Sequence, residues 1–313
     1  MRTLRAVGER GLIERIRRRV RGDRSVRVGI GDDAAVLRLP AAPTARAGRP
    51  RRGEDLLFAS DMLVEGVHFR RGLVPPHWIG WKALACNVSD IAAMGGRPRW
   101  AVVSLGLPAT TSVAFVDGLY AGLIRCARRF GVALVGGDTV RAPTVVVDVA
   151  IVGTVRRGQA VLRRGARVGD GLYVTGRLGG SSRRGRHARF LPRLREARRL
   201  VRRVRVRAMM DLSDGLASDL WQMSRASQVV LRVEAERIPI APAAKTLEHA
   251  LMDGEDFELL CAVGARDAAR LPARLGATPL TRIGRAVARG VGVELAHPDG
   301  RVTELRPSGF RHF

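Results

Sequence analysis

Six short stretches of the chain place carboxylates beside glycine or serine: "GIGDDAA" (29–35), "ASDMLVEG" (59–66), "NVSDIAAMGG" (87–96), "VGGDTVR" (135–141), "DLSDGLASD" (211–219) and "MDGEDFELL" (252–260). Asp and Gly are common turn residues, so any one of these reads first as a turn. The set reads differently. Most are flanked by apolar segments, which puts their carboxylates at the ends of elements, beside a core. Carboxylates that converge repel one another unless cations lie among them. Hard oxygen donors select Mg²⁺ or a similar ion, and Mg²⁺ typically joins a few carboxylates to the phosphates of a substrate. The chemistry implied is therefore a metal–phosphate site.

The common phosphate cradles are missing. There is no G-x-x-x-x-G-K-[ST], and "GIGDDA" falls short of a dinucleotide fingerprint. Phosphates would be held by metal bridges, by backbone N–H groups of glycine turns and by arginines. A helix beginning at Ser213 in "DLSDGL" would add an N-terminal anion site. The six histidines stand in unlike contexts, and no Ser-His-Asp pattern can be placed. Within "GIGDDAA", side chains of an extended stretch alternate. Asp33 is read as the ligand, and Asp32 as bonding to the backbone of its own turn. Asp219, in "LASDL", is placed on the exposed side of its helix.

These motifs need elements to carry them. At 313 residues, two domains are expected, split near residues 155–165 into 1–155 and 156–313. A hydrophobic content of 46% fits a folded protein, with only 4% aromatics, so cores must rest on Val, Leu, Ile and Ala. The formal charge of +26 would ordinarily suggest a polyanionic partner. Only Lys82 and Lys245 are lysines among 55 basic residues. So one-sided a use of arginine reads as solvated surface in preference to a nucleic-acid footprint. Cys86, Cys126 and Cys261 show no metal spacing and read as buried reduced thiols. The charged N-terminus has no apolar signal region, and no apolar run is long enough to span a membrane. The expected compartment is the cytoplasm.

Along the chain, Leu4, Val7, Leu12, Ile13, Ile16 and Val20 suggest an amphipathic helix. "SVRVGIGDDAAVLRL" is strand-like around its Gly-Asp-Asp break, and residues 40–54 form a surface loop. "DLLFASDMLVEGVHF" reads as a strand, a break at Ser60-Asp61 and a second short strand. Helices are expected over "HWIGWKALACNVSDIAAMG", with Trp81, Leu84, Val88 and Ile91 on one face, and over "SVAFVDGLYAGLIRCARRFG", closed by Gly131. "RWAVVSLGLP", "VALVGGDTVR" and "TVVVDVAIVGTV" are strands. Beyond the boundary, "GLYVTGRLGG", "VVLRVEAERIPI" and "FELLCAVG" are strands. Residues 183–207, "MMDLSDGLASDLWQMSRAS" and "PAAKTLEHALMDG" are helical. Strands and helices mix in both halves, so both are α/β.

Taken in order, "GIGDDAAVL", "SDMLVEGVHF", "KALACNVSDIAAMGGRP", "LVGGDTVR", "RRGARVGDGLYVTG", "DLSDGL", "DGEDFELL" and "SGFRHF" resemble the thiamine-monophosphate kinases over nearly the whole chain. That family belongs to the superfamily of aminoimidazole ribonucleotide synthetase, selenophosphate synthetase and a hydrogenase maturation protein. The resemblance implies an α/β (α+β) fold of two domains. The N-terminal one would bind ATP and Mg²⁺ and form a β-barrel across a homodimer interface, and the C-terminal one would complete the active site. It implies direct in-line transfer of the γ-phosphoryl group of ATP to thiamine monophosphate, with several Mg²⁺ ions and no acid–base residue. By resemblance, Asp33, Ser60, Asp61, Asp90, Asp138, Asp211 and Asp214 are metal ligands. Tyr120, Gly137, Asp138, Arg163 and Ser213 contact ATP. His68, Glu255 and Phe310 contact the thiamine moiety. The chain departs from the family in the arginine-rich stretch 176–210 and at Asp253, where a glycine is usual. Asp253 adds a charge next to Glu255. The alternatives are another ATP-dependent member of the superfamily and a basic nucleic-acid-binding protein. A selenophosphate synthetase would carry a reactive residue near its N-terminus, whereas no cysteine precedes Cys86 here.

Overall fold

The computed structural model describes residues 11–14, 16–18, 25–38, 53–181 and 185–309. The first half builds a six-stranded sheet from β1 (Val26–Val28), β2 (Ala35–Arg38), β3 (Glu54–Val64), β4 (Arg97–Leu107), β5 (Ala133–Arg141) and β6 (Val146–Arg156), in the order β1-β2-β3-β6-β4-β5. Helix α1 (Pro76–Ala93) follows β3, and α2 (Val113–Phe130) links β4 to its parallel neighbour β5. The second half adds β7 (Gly171–Thr175), β8 (Val206–Asp211), β9 (Val229–Glu234), β10 (Leu259–Val263), β11 (Arg274–Leu275), β12 (Thr278–Arg289), β13 (Gly292–Ala296) and β14 (Val302–Glu304). Their order is β14-β13-β9-β12-β7-β10-β8, with β11 paired to β12. Its helices are α3 (Arg186–Arg189), α4 (Leu194–Arg203), α5 (Leu216–Ser227), α6 (Leu247–Met252) and α7 (Ala265–Ala268). Residues 11–14 and 16–18 are helical, in line with the apolar spacing there; the rest of that expected helix, and residues 39–52, lie outside the described residues.

Strand β3 shows how the sheet aims its side chains. Leu57, Ala59 and Leu63 are buried, whereas Phe58, Ser60 and Met62 point to the opposite, exposed face. Asp61 shares the buried parity. The expected break at Ser60-Asp61 does not exist: β3 pairs with β6 without interruption from Glu54↔Arg156 to Val64↔Val146. A full antiparallel ladder overrides the turn preference of Ser and Asp.

Helix α1 was expected to bury one face. It is instead enclosed on nearly all sides, with Ile79 to Ser89 and Ile91 to Ala93 all buried. Small residues such as Ala83, Ala85 and Ala92 let neighbours approach from several directions. Trp81 Nε1 donates to the Phe190 carbonyl at 2.8 Å, tying α1 to the second half. Phe190 stacks on Phe257 at 3.8 Å, and one hydrophobic cluster runs from the first sheet through α1 to these rings. A second cluster lies between the second sheet and α5.

The start of α5 also differs from expectation. Residues Met209 to Asp211 belong to β8, and α5 begins at Leu216 after Gly215, three residues beyond Ser213. Within 183–207 the structure resolves two short helices, α3 and α4, before β8. "PAAKTLEHALMDG" is helical only over Leu247–Met252.

The α1–α2 crossing depends on two glycines. A Cβ on Gly80 would sit 1.9 Å from the Leu119 carbonyl oxygen, and one on Gly122 would sit 1.8 Å from that of His77. Both neighbours are backbone, so the helices must separate to admit a methyl group. Gly122→Ala is expected to lower the unfolding free energy by about 1–3 kcal/mol, the usual cost of overpacking, and with it the denaturation midpoint. An unchanged midpoint in a chemical melt would contradict so close a crossing.

Candidate active site

A cleft of about 850 Å³ opens between the halves. Each wall comes from a different element. The β1–β2 turn brings Asp32 and Asp33, β3 brings Asp61, α1 brings Asp90, and the end of β8 with its following loop brings Asp211, Ser213 and Asp214. The link between the sheets supplies Arg163, the segment after β3 supplies His68, and the α6–β10 loop supplies Glu255.

At one end, ligand atoms of Asp33, Asp90 and Asp211 all lie within 4.8 Å of one another. Asp61 lies beside Asp90, and Ser89 Oγ donates to Asp211 Oδ2 at 2.6 Å. Arg163 donates twice to Asp33 Oδ1, from Nε at 2.9 Å and Nη2 at 2.6 Å. The other oxygen, Asp33 Oδ2, is buried with no hydrogen-bond partner. A buried carboxylate oxygen without a donor, facing two more carboxylates, is the environment a divalent cation satisfies.

The protonation energetics agree. Burial pushes Asp61 up to about 6, with Asp148 and Asp33 adding repulsion. Burial pushes Asp211 up to about 7, with Asp33 again repelling. Asp90 rises well above the usual range, first from burial and then from Asp61 and Asp211. Asp33 also rises from burial, opposed by Arg163. Asp32 is lifted to about 6 by burial and by Asp33.

Asp32 and Asp33 divide their work. Asp32 Oδ1 accepts from the Asp33 amide at 3.1 Å, the local bond anticipated from its turn, and also from the Arg163 amide at 3.1 Å. Asp32 thus pins the inter-sheet link, while Asp33 faces the other carboxylates.

The second end of the cleft holds His68 and Glu255. His68 Nδ1 accepts from the Val64 amide at 3.0 Å, which puts the ring proton of the neutral imidazole on Nε2. Glu255 meets the buried ammonium of Lys82. The charge of Asp253 is taken up elsewhere, by the Gly180 amide at 2.8 Å and His249 Nδ1 at 3.1 Å. Asp256 accepts from Gly179 N and Ser181 Oγ, and Glu258 from Thr175 and Arg193. Of the acids in "MDGEDFELL", Glu255 is the one that lines the cleft away from these anchors, with Asp253 at its rim.

Not every expected residue arrives. Ser60 lines the cleft, but its hydroxyl donates to Asp148 at 3.1 Å on the exposed face of β3. Gly137 and Asp138 sit in the edge strand β5, outside the cleft lining, and Asp138 accepts from the Thr139 amide at 2.8 Å. Tyr120, on α2, packs against the first cluster and does not line the cleft. Phe310 lies outside the described residues.

Three participants were not anticipated. Lys82 is fully buried at the Glu255 end. Asp219, expected on the exposed side of α5, is 0% exposed and accepts from the Asp214 amide at 3.3 Å. The first residues of α5, Leu216 to Leu220, are all buried, so no side of the helix is exposed there. Gln222 accepts from Arg163 Nη1 at 2.6 Å and donates to Asp214 and Asp219 at 3.2 and 3.0 Å. The i, i+3 spacing of Asp219 and Gln222 was the available signal.

Comparison with known proteins agrees with this geometry. The family description "AIR synthase related protein, N-terminal domain" matches residues 31–155, and its C-terminal counterpart matches 164–296. A thiamine-monophosphate kinase of Rhodopirellula baltica is 38% identical over 315 residues, covering 97% of each chain. The chain belongs to the thiamine-monophosphate kinase family. The Bacillus subtilis member is 35% identical, over 92% of this chain and 94% of that one. A solved structure described as AaThiL complexed with AMPPCP and TMP superposes with a TM-score of 0.85 at 30% identity, covering 100% of this chain and 99% of that one. Members of this kinase family are ATP-dependent phosphotransferases, and the chain has their two-domain α/β fold. Among the described residues, no helix is long and apolar enough to cross a membrane.

The raised carboxylates set a linkage. A group whose folded pKa exceeds its unfolded value holds a proton in the native state that the unfolded chain has lost. Its stabilising contribution is present at low pH and disappears as pH rises through the folded value. For Asp61, Asp32 and Asp211 the window runs from about pH 4 to about pH 7. Mg²⁺ should therefore raise the melting temperature more at pH 8 than at pH 5.5. Equal stabilisation at both, by calorimetry, would contradict a cation among these carboxylates.

Proposed function

We propose that the protein transfers the γ-phosphoryl group of ATP to thiamine monophosphate by direct in-line displacement, with several Mg²⁺ ions in the carboxylate cluster. The observation that carries this is the convergence of Asp33, Asp90 and Asp211, with one oxygen of Asp33 orphaned, in a cleft whose other end holds His68 and Glu255. Full-length similarity to thiamine-monophosphate kinases supports the choice of substrates.

The donors fit the ion, and Asp33, Asp61, Asp90, Asp211 and Asp214 would hold it, with Ser60 and Asp138 as further ligands. When bound, Mg²⁺ would supply charge neutralisation to the transferring phosphates. The chain's own groups do the positioning. Arg163, fixed by two donors to Asp33 and one to Gln222, would bring its positive charge to the phosphates. Ser213, beside Asp211 and Asp214, adds a hydroxyl on the nucleotide side. His68 Nε2–H and the Glu255 carboxylate present a donor and an acceptor to the thiamine moiety, and Phe310 offers a ring to its cation. No acid or base is required, because the acceptor is already an ionised phosphate.

A homodimer is part of the reading. On the exposed face of the first sheet, Phe58 (45% exposed), Met62 (53%), Trp100 (47%) and Val102 (39%) lie close together, and edge strand β5 exposes Val135 and Val140. Exposed apolar side chains grouped on one sheet face support an interface there. β5 stands three strands from β3, about 14 Å along the sheet. Pairing across a dimer would carry Gly137 and Asp138 to a nucleotide site, and Tyr120 with them. Residues 1–155 would then form the ATP-, metal- and dimer-forming domain, and 156–313 the domain that closes the site.

The assay is chromatographic detection of thiamine diphosphate from thiamine monophosphate, ATP and Mg²⁺. Asp33→Asn should lower turnover about 100-fold or more at saturating Mg²⁺, whereas Asp32→Asn should mainly lower stability. Folded wild-type protein giving no product would refute the reading. For the dimer, Phe58→Glu with Trp100→Glu should yield monomers by light scattering. A wild type that is itself monomeric would refute that part.

A further inference from the structure

Lys82 stands out on two independent grounds. The chain uses arginine for nearly every basic position, yet keeps a lysine here. Lys82 is also 1% exposed, the largest fully buried side chain among the described residues. Its Nζ donates to the His68 carbonyl at 2.9 Å and to Glu255 Oε1. An ammonium is compact enough for such a place, whereas a planar guanidinium is not.

Its place on α1 is informative. Lys82, Cys86 and Asp90 follow at i, i+4 and i+8, one ridge of the helix. Asp90 sits among the carboxylates, and Lys82 lies about 12 Å away at the His68–Glu255 end. One buried helix thus fixes both ends of the cleft.

Glu255 needs holding. Its φ of 63° lies in the left-handed region, sparsely populated for a residue with a side chain. Its amide donates to the Ser213 carbonyl at 2.7 Å, so its backbone is anchored on the nucleotide side. Its carboxylate is anchored by Lys82 alone among the hydrogen bonds of the described residues. The same ammonium steadies the His68 backbone.

We propose that Lys82 is a positioning residue for the acceptor substrate. It orients the Glu255 carboxylate and so sets affinity for thiamine monophosphate, without touching the ATP–metal end. This rests on the function proposed above.

The test measures KM for each substrate, with calorimetric binding of thiamine monophosphate and of a non-hydrolysable ATP analogue with Mg²⁺. Lys82→Met should raise the KM for thiamine monophosphate roughly 10- to 100-fold, the scale of a lost hydrogen bond to a charged group. The KM for ATP and the binding of the analogue should stay within about twofold of wild type. If Lys82→Met fails to fold because Glu255 is left uncompensated, the double variant Lys82→Met/Glu255→Gln removes both charges and is compared with Glu255→Gln. Action through Glu255 requires the two to share a KM for thiamine monophosphate within about twofold. A further tenfold rise in the double variant, or an equal rise in both substrates' KM, overturns the proposal. Wild-type protein that binds the ATP analogue but does not phosphorylate thiamine monophosphate overturns the functional reading and this proposal with it. Wild-type turnover with an unchanged Lys82→Met KM overturns the proposal alone.

Discussion

Repulsion among buried carboxylates governs this molecule. Asp33, Asp61, Asp90 and Asp211 come from four separate parts of the chain and are held close together, Asp33 and Asp211 buried and Asp61 and Asp90 half-buried. Each is destabilised as an anion by burial, and most by one another as well. Arg163 compensates one of them. The deficit left over is a standing demand for cations. Packing elsewhere must be firm enough to hold the carboxylates in place, and α1, enclosed on nearly all sides, meets that need.

The two halves are joined through the same electrostatics. Arg163 lies in the link between the sheets, yet its side chain binds Asp33 and its backbone binds Asp32, both from the first half. Its third contact is Gln222 of α5, in the second half. The Trp81–Phe190 bond and the Phe190–Phe257 stack add apolar adhesion nearby. The cleft is therefore a joint product of both halves, and neither wall holds the full set of carboxylates.

Much of this was legible in the sequence, for physical reasons. The main strands of the first sheet and the two long helices follow from apolar periodicity and from the Gly131 cap. The acidic motifs identified most of the cleft. What failed was local inference against tertiary context. Asp61 was read as part of a break but lies within a continuous strand, whereas Asp90 and Asp138 lie in the helix and the strand expected for them. Strands β11–β14 went unassigned: β11 and β14 are two and three residues long, and the pattern of β12 is interrupted by Gly284 and three arginines. Lys82 and Asp219 were missed as site neighbours because burial of a charge is set by partners distant in sequence: Glu255 for one and the Asp214 loop for the other.

The uninterrupted ladder between β3 and β6 has one more implication. Eleven consecutive pairs fix which side chains of β3 face inward. A slip of one residue would turn Leu57 and Leu63 outward and bring Phe58 and Met62 into the core. It would also swing Asp61 to the outer face and leave the carboxylate cluster without it. The hydrophobic alternation that selects the correct pairing is thus the same information that aims the carboxylate. A mis-registered sheet has no route to being stable but inactive, because the error that removes the carboxylate also exposes the core.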